Sequence, residues 1–350
     1  MHCKTIYFTA PKQIELRQEP LPILGADEVL VESICSAISA GTEMLVYRGE
    51  FPKEVDAIDS ISSGLHYPTS YGYANVGCVK DFGKMVDGEW KNRLVFSFQP
   101  HTSHFITKPQ SLIPIPDSLS PDAACFLPNM ETAVNLIQDA APILGERVLV
   151  LGQGVIGLLA TALLKEFPLA TLITADHYPL RREASMALNV AASLDPTTDD
   201  FCEKALSHCQ RNLIPHREIK ELSKRGGFDL TFELSGNPSA LNDAIAVTAF
   251  SGRIVIGSWY GDKRASIDLG RIFHHSRIKL ISSQVSTIAP ELSARWDKSR
   301  RFQVAWEALK RIQPQKWITH RYSTEDARKA YQLLDEKPEE TIQVIFNHNQ

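Results

Sequence analysis

The run Val148-Leu149-Val150-Leu151 leads without a break into Gly152-Gln153-Gly154-Val155-Ile156-Gly157, and then into Leu158-Leu159-Ala160-Thr161-Ala162-Leu163-Leu164. An apolar strand that enters a three-glycine turn and opens a helix fits one kind of unit, the start of a parallel sheet that binds a dinucleotide. Gly152 allows the tight turn, Gly154 removes a side chain that would block a pyrophosphate, and Gly157 lets the helix approach the strand. The amides of Val155 and Ile156 then lie at the positive end of the helix, where phosphate oxygens are attracted. The stretch approaches membrane-spanning length, but Gln153 and the three glycines suit a buried strand and helix instead.

About 20 residues further on, Asp176 closes the next apolar run, where a carboxylate accepts the hydroxyls of an adenosine ribose. That carboxylate repels the additional phosphate of NADP, so NAD(H) is expected over NADP(H). His177, Arg181 and Arg182 are the nearby cations that offset the repulsion, and the same residues suit a solvated helix start. Arg181 is counted among the cofactor contacts.

Around this unit the chain has two rhythms. Residues 1–120 carry short strand patterns separated by Gly and Pro: Lys4–Phe8, Glu28–Ser33, Ala74–Lys80, Arg93–Phe98 and His104–Thr107. Pro114, Pro116 and Pro121 then mark a segment read as interrupting both helix and strand, a natural crossover. Beyond it, strands alternate with helices: Arg147–Gly152, Thr171–Asp176, Ala191–Leu194, Phe228–Leu234, Arg253–Gly257 and Lys279–Ser283. The polar stretch Asp199–Arg225 is expected to form an extra surface helix. Helices are expected over Arg300–Arg311 and Thr324–Leu334, and a last strand, Thr341–Phe346, is expected to return to the first domain. The expectation is an α/β chain with a mostly β domain (1–120 with 286–350) and a doubly wound parallel-sheet domain (121–285).

Composition narrows the function. With 350 residues, 43% hydrophobic and 22% charged, the chain is globular and long enough for two domains. Its 37 Lys and Arg against 41 Asp and Glu give a formal net charge of −4, without the basic cluster of a nucleic-acid binder. The N-terminal residues lack the apolar core of a secretory signal, so a cytoplasmic location is expected. Six cysteines at 3, 35, 78, 125, 202 and 209 lack the paired intervals of a zinc site, and reduced thiols are expected.

Several further stretches resemble the medium-chain dehydrogenase/reductase superfamily. They are Asp27-Glu28-Val29-Leu30-Val31, Ser39-Ala40-Gly41-Thr42-Glu43, Tyr47-Arg48-Gly49, Gly72-Tyr73-Ala74, Gly145-Glu146-Arg147-Val148, the glycine turn, and Ile318-Thr319-His320-Arg321-Tyr322. The resemblance implies a GroES-like catalytic domain and a Rossmann domain. Zinc-dependent members carry Cys, His and Glu where this chain has Ala40, Tyr73 and Ala74, and two alanines and a neutral phenol are poor metal ligands. The cysteine-rich lobe of many relatives has no counterpart between Cys78 and Cys125. The chain therefore resembles the zinc-free branch, and its first motif is most similar to bacteriochlorophyllide 3-hydroxyethyl dehydrogenase-like proteins.

Without zinc, side chains must move the proton that accompanies hydride transfer. The resemblance places Thr42 in the proton relay and Glu43 beside Tyr73, so that the carboxylate orients the phenol toward a substrate carbonyl. The sequence Gly41-Thr42-Glu43 equally suits a turn held by its own side chains. Thr132, near the start of the first crossover helix, and Gly257, at a strand end, complete the cofactor contacts, while Glu131 is read as favouring a helix start. Arg271–Arg277 suits an anionic group of a substrate, but the recurrence of such faces at Arg295, Arg300 and Arg301 favours reading it as a charged helix face. The expected activity interconverts a secondary alcohol and a ketone on a small organic substrate. A quinone or enoyl reductase and a non-catalytic NAD-binding protein are the alternatives. A homodimer is expected through the strand Arg253–Gly257 or its neighbour.

Overall fold

The apolar residues of the N-terminal strands fall at every second position, as a half-buried sheet requires. β1 (His2–Ala10) pairs antiparallel with β2 (Gln13–Pro20), and β3 (Val29–Ala37) buries Val29, Val31, Ser33 and Cys35. A short helix α1 (Thr42–Arg48) follows and ends on Gly49, whose φ of 75° is the left-handed conformation that favours glycine. β4 (Thr69–Ser70) adds to β1, and β5 (Asn75–Phe82), β6 (Leu94–Ser97), β7 (His104–Thr107) and β8 (Ile113–Pro114) extend the sheet around β3. This computed structural model describes residues 2–51, 65–209 and 226–348.

The proline segment differs from its sequence reading. Pro114 lies within β8, at the end of the sheet order, where a missing N–H is tolerated. Pro121 opens helix α2 (Pro121–Ala124), and the Ser120 side chain accepts a hydrogen bond from Ala123 N at 3.2 Å. Helix α3 (Leu127–Ala140) begins almost at once.

A six-stranded parallel sheet follows, built from β9 (Arg147–Leu151), β10 (Thr171–Ala175), β11 (Ala192–Leu194), β12 (Phe228–Glu233), β13 (Thr248–Ile256) and β14 (Lys279–Ser282). Its order is β11-β10-β9-β12-β13-β14, with the switch point between β9 and β12. The helices are α4 (Val155–Leu164), α5 (Pro179–Met186), α6 (Phe201–Ser207) and α7 (Ala240–Val247). Alternation along β9 sends Leu149 and Leu151 into one core with Phe201, Leu241 and Ile254, and Val148 and Val150 into another with Leu136, Leu164 and Phe232. Both faces are thus covered, which explains the uninterrupted apolar runs of the strands. Of the polar stretch read as one surface helix, α6 covers its start, and residues 210–225 lie outside the described residues. β13 lies between β12 and β14, so the Arg253–Gly257 strand has no free edge and β14 carries it instead.

Helix α8 (Lys298–Ile312) buries Ala305, Trp306 and Leu309, and β15 (Ile318–Ser323), α9 (Ala327–Glu336) and β16 (Gln343–Asn347) complete the chain. β16 pairs parallel with β15 and antiparallel with β3, so the C-terminus joins the N-terminal sheet. Two compact units result, Met1–Pro128 with Trp306–Gln350, and Asn129–Ala305. The first holds the GroES-like β architecture and the second the doubly wound Rossmann sheet. Among the described residues no helix is long and apolar enough to cross a membrane.

Candidate functional site

In the second unit the three glycines of the β9–α4 turn answer three different steric demands. Gly152 has φ of 90°, and a Cβ there would meet the Leu234 carbonyl carbon at 2.5 Å. A Cβ on Gly157 would lie 1.9 Å from the Gly152 carbonyl oxygen, so any other residue would push α4 off the strand. Gly154 differs: its Cβ would meet no heavy atom closer than Arg181 Nη1, at 3.9 Å. The first-turn amides of α4, including those of Val155 and Ile156, have no preceding helical carbonyl to bond. An open position, a cation and a helix start thus converge where a diphosphate can be held. The donor set fits the pyrophosphate of a dinucleotide.

Asp176 follows the last residue of β10 and is buried. Its Oδ2 accepts from Gln153 N at 2.6 Å and its Oδ1 from Tyr178 N at 2.8 Å. The carboxylate therefore braces the glycine turn while standing at the carboxyl end of the sheet. Arg182 donates to the carbonyls of Asp176 and His177 and pairs with Asp195 at 3.1 Å, so it is committed to the strand end. The Arg181 guanidinium lies over the Tyr178 ring, 4.8 Å from its centroid. Thr132 sits on α3. At Gly257 a Cβ would meet Leu136 of α3 at 2.5 Å and Leu234 at 2.7 Å, so this position is glycine for packing.

In the first unit the structure corrects the expected pairing of Glu43 with Tyr73. Glu43 is fully buried on α1, and its carboxylate accepts three hydrogen bonds, from His101 Nε2 at 2.8 Å, Tyr331 OH at 2.6 Å and Ser39 N at 2.8 Å. The phenol oxygen of Tyr73 instead lies 2.5 Å from Ser39 Oγ and 3.3 Å from Thr42 Oγ1. A phenol has one proton, so it donates to one hydroxyl and accepts from the other. Burial pushes the Tyr73 pKa up, against the two hydroxyl contacts, and the charge of Glu43 adds to the rise. Behind Glu43, His101 Nδ1 is 2.7 Å from Ser36 Oγ, and Ser36 Oγ is 2.8 Å from His348 Nε2.

Sequence reading missed Ser39 as a partner of Tyr73, although its motif was singled out, and missed His101 and Tyr331 altogether. His101 lies 58 residues and Tyr331 288 residues from Glu43, and no local spacing signals either contact.

The positions at which the resemblance implies a catalytic zinc do not fit the ion here. Ala40 and Ala74 offer no donor atom, and Tyr73 is a protonated phenol occupied by two hydroxyls. Among the described residues no group of three or more His, Cys, Asp or Glu is placed to hold a metal.

Comparison with known proteins bears on this geometry. Residues 155–302 match the family described as zinc-binding dehydrogenase. D-guloside 3-dehydrogenase of Escherichia coli K12 is 24% identical, over 97% of this chain and 99% of the relative. A short chain alcohol dehydrogenase of E. coli CFT073, solved with NADH, superposes with a TM-score of 0.76 at 17% identity, covering 99% of both chains. 2R,3R-butanediol dehydrogenase of Bacillus subtilis gives 0.75 at 18% identity, again over 99% of both. The chain is thus similar to the zinc-binding dehydrogenases over residues 155–302, is an enzyme similar to dehydrogenases over nearly its whole length, and shares the fold of the solved ones.

The open position at Gly154 yields a test. Gly154→Val keeps a negative φ of −65°, so thermal unfolding is expected to stay near that of the parent protein. The added side chain fills the phosphate cradle, and the NADH dissociation constant, read by fluorescence titration, is expected to rise at least about tenfold.

Proposed function

We propose that this protein is a zinc-independent, NAD(H)-linked oxidoreductase that interconverts a secondary alcohol and a ketone on a small organic substrate. The observation that carries the reading is the Tyr73 phenol held by Ser39 and Thr42 at the position where zinc-dependent relatives place a metal ligand. Bound at the glycine turn, a nicotinamide cofactor supplies or accepts the hydride. The protein's own residues handle the proton.

In the reducing direction Tyr73 donates its proton to the substrate oxygen, and its raised pKa keeps the proton available at neutral pH. Ser39 and Thr42 fix the phenol and pass the replacement proton. The Glu43 carboxylate is hydrogen-bonded to Ser39 N, His101 and Tyr331 rather than to the phenol. It is a positioning residue that fastens the Ser39–Thr42 turn through the Ser39 amide, with His101 and Tyr331 holding it in place. Preference for NAD(H) rests on the buried Asp176, whose charge opposes a 2′-phosphate, and on Arg182 being tied up elsewhere. Arg181 serves the pyrophosphate. Each of these assignments follows from position and chemistry.

The deciding experiment incubates the protein and NADH with a panel of ketones, aldehydes, quinones and conjugated enones, following absorbance. Ketone-dependent oxidation of NADH is expected. Reduction of enones alone favours a carbon–carbon double-bond reductase, and binding without turnover favours a nucleotide sensor. Tyr73→Phe is expected to lower turnover by about tens- to hundreds-fold while the NADH dissociation constant holds, and an unchanged rate removes Tyr73 from the reaction. Dialysis against a strong chelator is expected to leave turnover intact; stoichiometric zinc that is needed for activity overturns the metal-free mechanism.

Self-association belongs to the same proposal. Among the described residues β14 ends the sheet with an unpaired edge, and Leu280 on it and Leu269 and Ile272 before it are exposed. Two chains pairing at β14 would continue the sheet and cover those residues. Sedimentation equilibrium is expected to give twice the chain mass of 39.0 kDa, and Leu280→Lys is expected to return it to the monomer.

A further inference from the structure

Arg301 reads in sequence as part of a charged helix face, beside Arg300, yet its side chain is completely buried. A guanidinium has five N–H donors, and here all five are used. Nε and Nη2 both donate to Glu131 Oε1, at 3.1 and 2.7 Å. Nη1 donates to Asn135 Oδ1 at 2.6 Å and to the Thr287 carbonyl at 3.1 Å, and Nη2 also donates to the Val285 carbonyl. Glu131 and Asn135 sit one turn apart on α3, and Asp139 continues the same face a turn later. Asp139 accepts from Ser283 Oγ at 2.6 Å, and Asn135 Nδ2 bonds both Asp139 at 2.8 Å and Ser283 Oγ at 3.0 Å. One face of α3 therefore grips the chain just after β14 directly at Ser283, and through Arg301 at Val285 and Thr287.

The location of that segment gives the grip its meaning. With Asp176 at the end of β10 and the glycine turn at the end of β9, the adenosine half of a dinucleotide lies on the β10 side of the switch point. Its other half then extends toward the carboxyl ends of β12, β13 and β14. Residues 283–287 leave the sheet at that edge, and Ser283 N is bonded to the Ile256 carbonyl at the end of β13. Resting on the nucleotide reading above, we propose that Arg301 is a positioning residue for the nicotinamide half of the cofactor. It fixes the backbone of residues 285–287 against α3, so that this segment is already shaped when the nicotinamide arrives.

A buried ion pair is a poor source of stability, because desolvation offsets most of its Coulomb energy. Its use here is directional. Five hydrogen bonds in one plane set two backbone carbonyls relative to a helix, which an apolar residue of equal volume cannot do.

The test separates the two halves of the ligand by calorimetric titration with NADH and with ADP-ribose, which lacks the nicotinamide. Arg301→Lys retains the charge but cannot span four acceptors. The dissociation constant for NADH is expected to rise at least tenfold, while that for ADP-ribose stays within twofold. Glu131→Gln, which keeps the side-chain shape and an acceptor oxygen, is expected to shift in the same direction, and it carries the test if the lysine variant does not fold. Parallel weakening of both ligands, or no change in either, overturns the assignment and leaves Arg301 a structural residue. Failure of the unaltered protein to bind ADP-ribose overturns the nucleotide reading itself, and this inference with it.

Discussion

The close approach of Gly157 to the Gly152 carbonyl sets the position of everything that the second unit presents. No side chain fits between them, so α4 starts directly against the end of β9, with its unpaired amides held at the switch point of the sheet. Gln153, fully buried in the middle of the turn, secures the arrangement: its amide nitrogen donates to the Gly152 carbonyl at 2.9 Å and its oxygen accepts from Thr161 Oγ1 at 3.1 Å. A polar residue in so apolar a stretch is thereby satisfied by the turn that it braces.

In the first unit a buried carboxylate plays the comparable part. Glu43 gathers one donor from the turn just before α1 and two from distant parts of the chain, the loop before β7 and helix α9. A carboxylate with no exposure requires such partners, since an unpaired buried charge is expensive. The requirement ties the C-terminal helix to the motif that bears Thr42 and Ser39. In metal-dependent relatives, as the resemblance implies, the matching acidic residue supports a ligand histidine. Here it supports His101 instead, and the phenol turns to hydroxyl partners.

Much of this was legible from the amino-acid order. Short strand patterns bounded by Gly and Pro located β1, β3, β5, β6 and β7, and the glycine turn located β9 and α4, because those signals are local. Helix α1 was open to reading as a turn, since seven residues give little periodicity. β2 has a single buried apolar residue, Ile14, and escaped notice. The misreadings at Glu43 and Arg301 share one cause. The burial of each charge is decided by partners far along the chain, 170 residues away in the case of Glu131 and Arg301, and a neighbouring charge such as Arg300 gives no hint of the difference.

The two backbone bonds of Asp176 bear on how such an enzyme could change coenzyme over evolutionary time. Removing its charge to admit a phosphorylated ribose would strip the Gln153 and Tyr178 amides of their acceptor and loosen the loop that grips the diphosphate. On the proposed preference for NAD(H), the charge that sets it and the brace of the glycine turn belong to one side chain. A lineage drifting toward the other coenzyme would have to rebuild that acceptor, with an Asn or Ser at the same point, before it could gain anything from new cations around it.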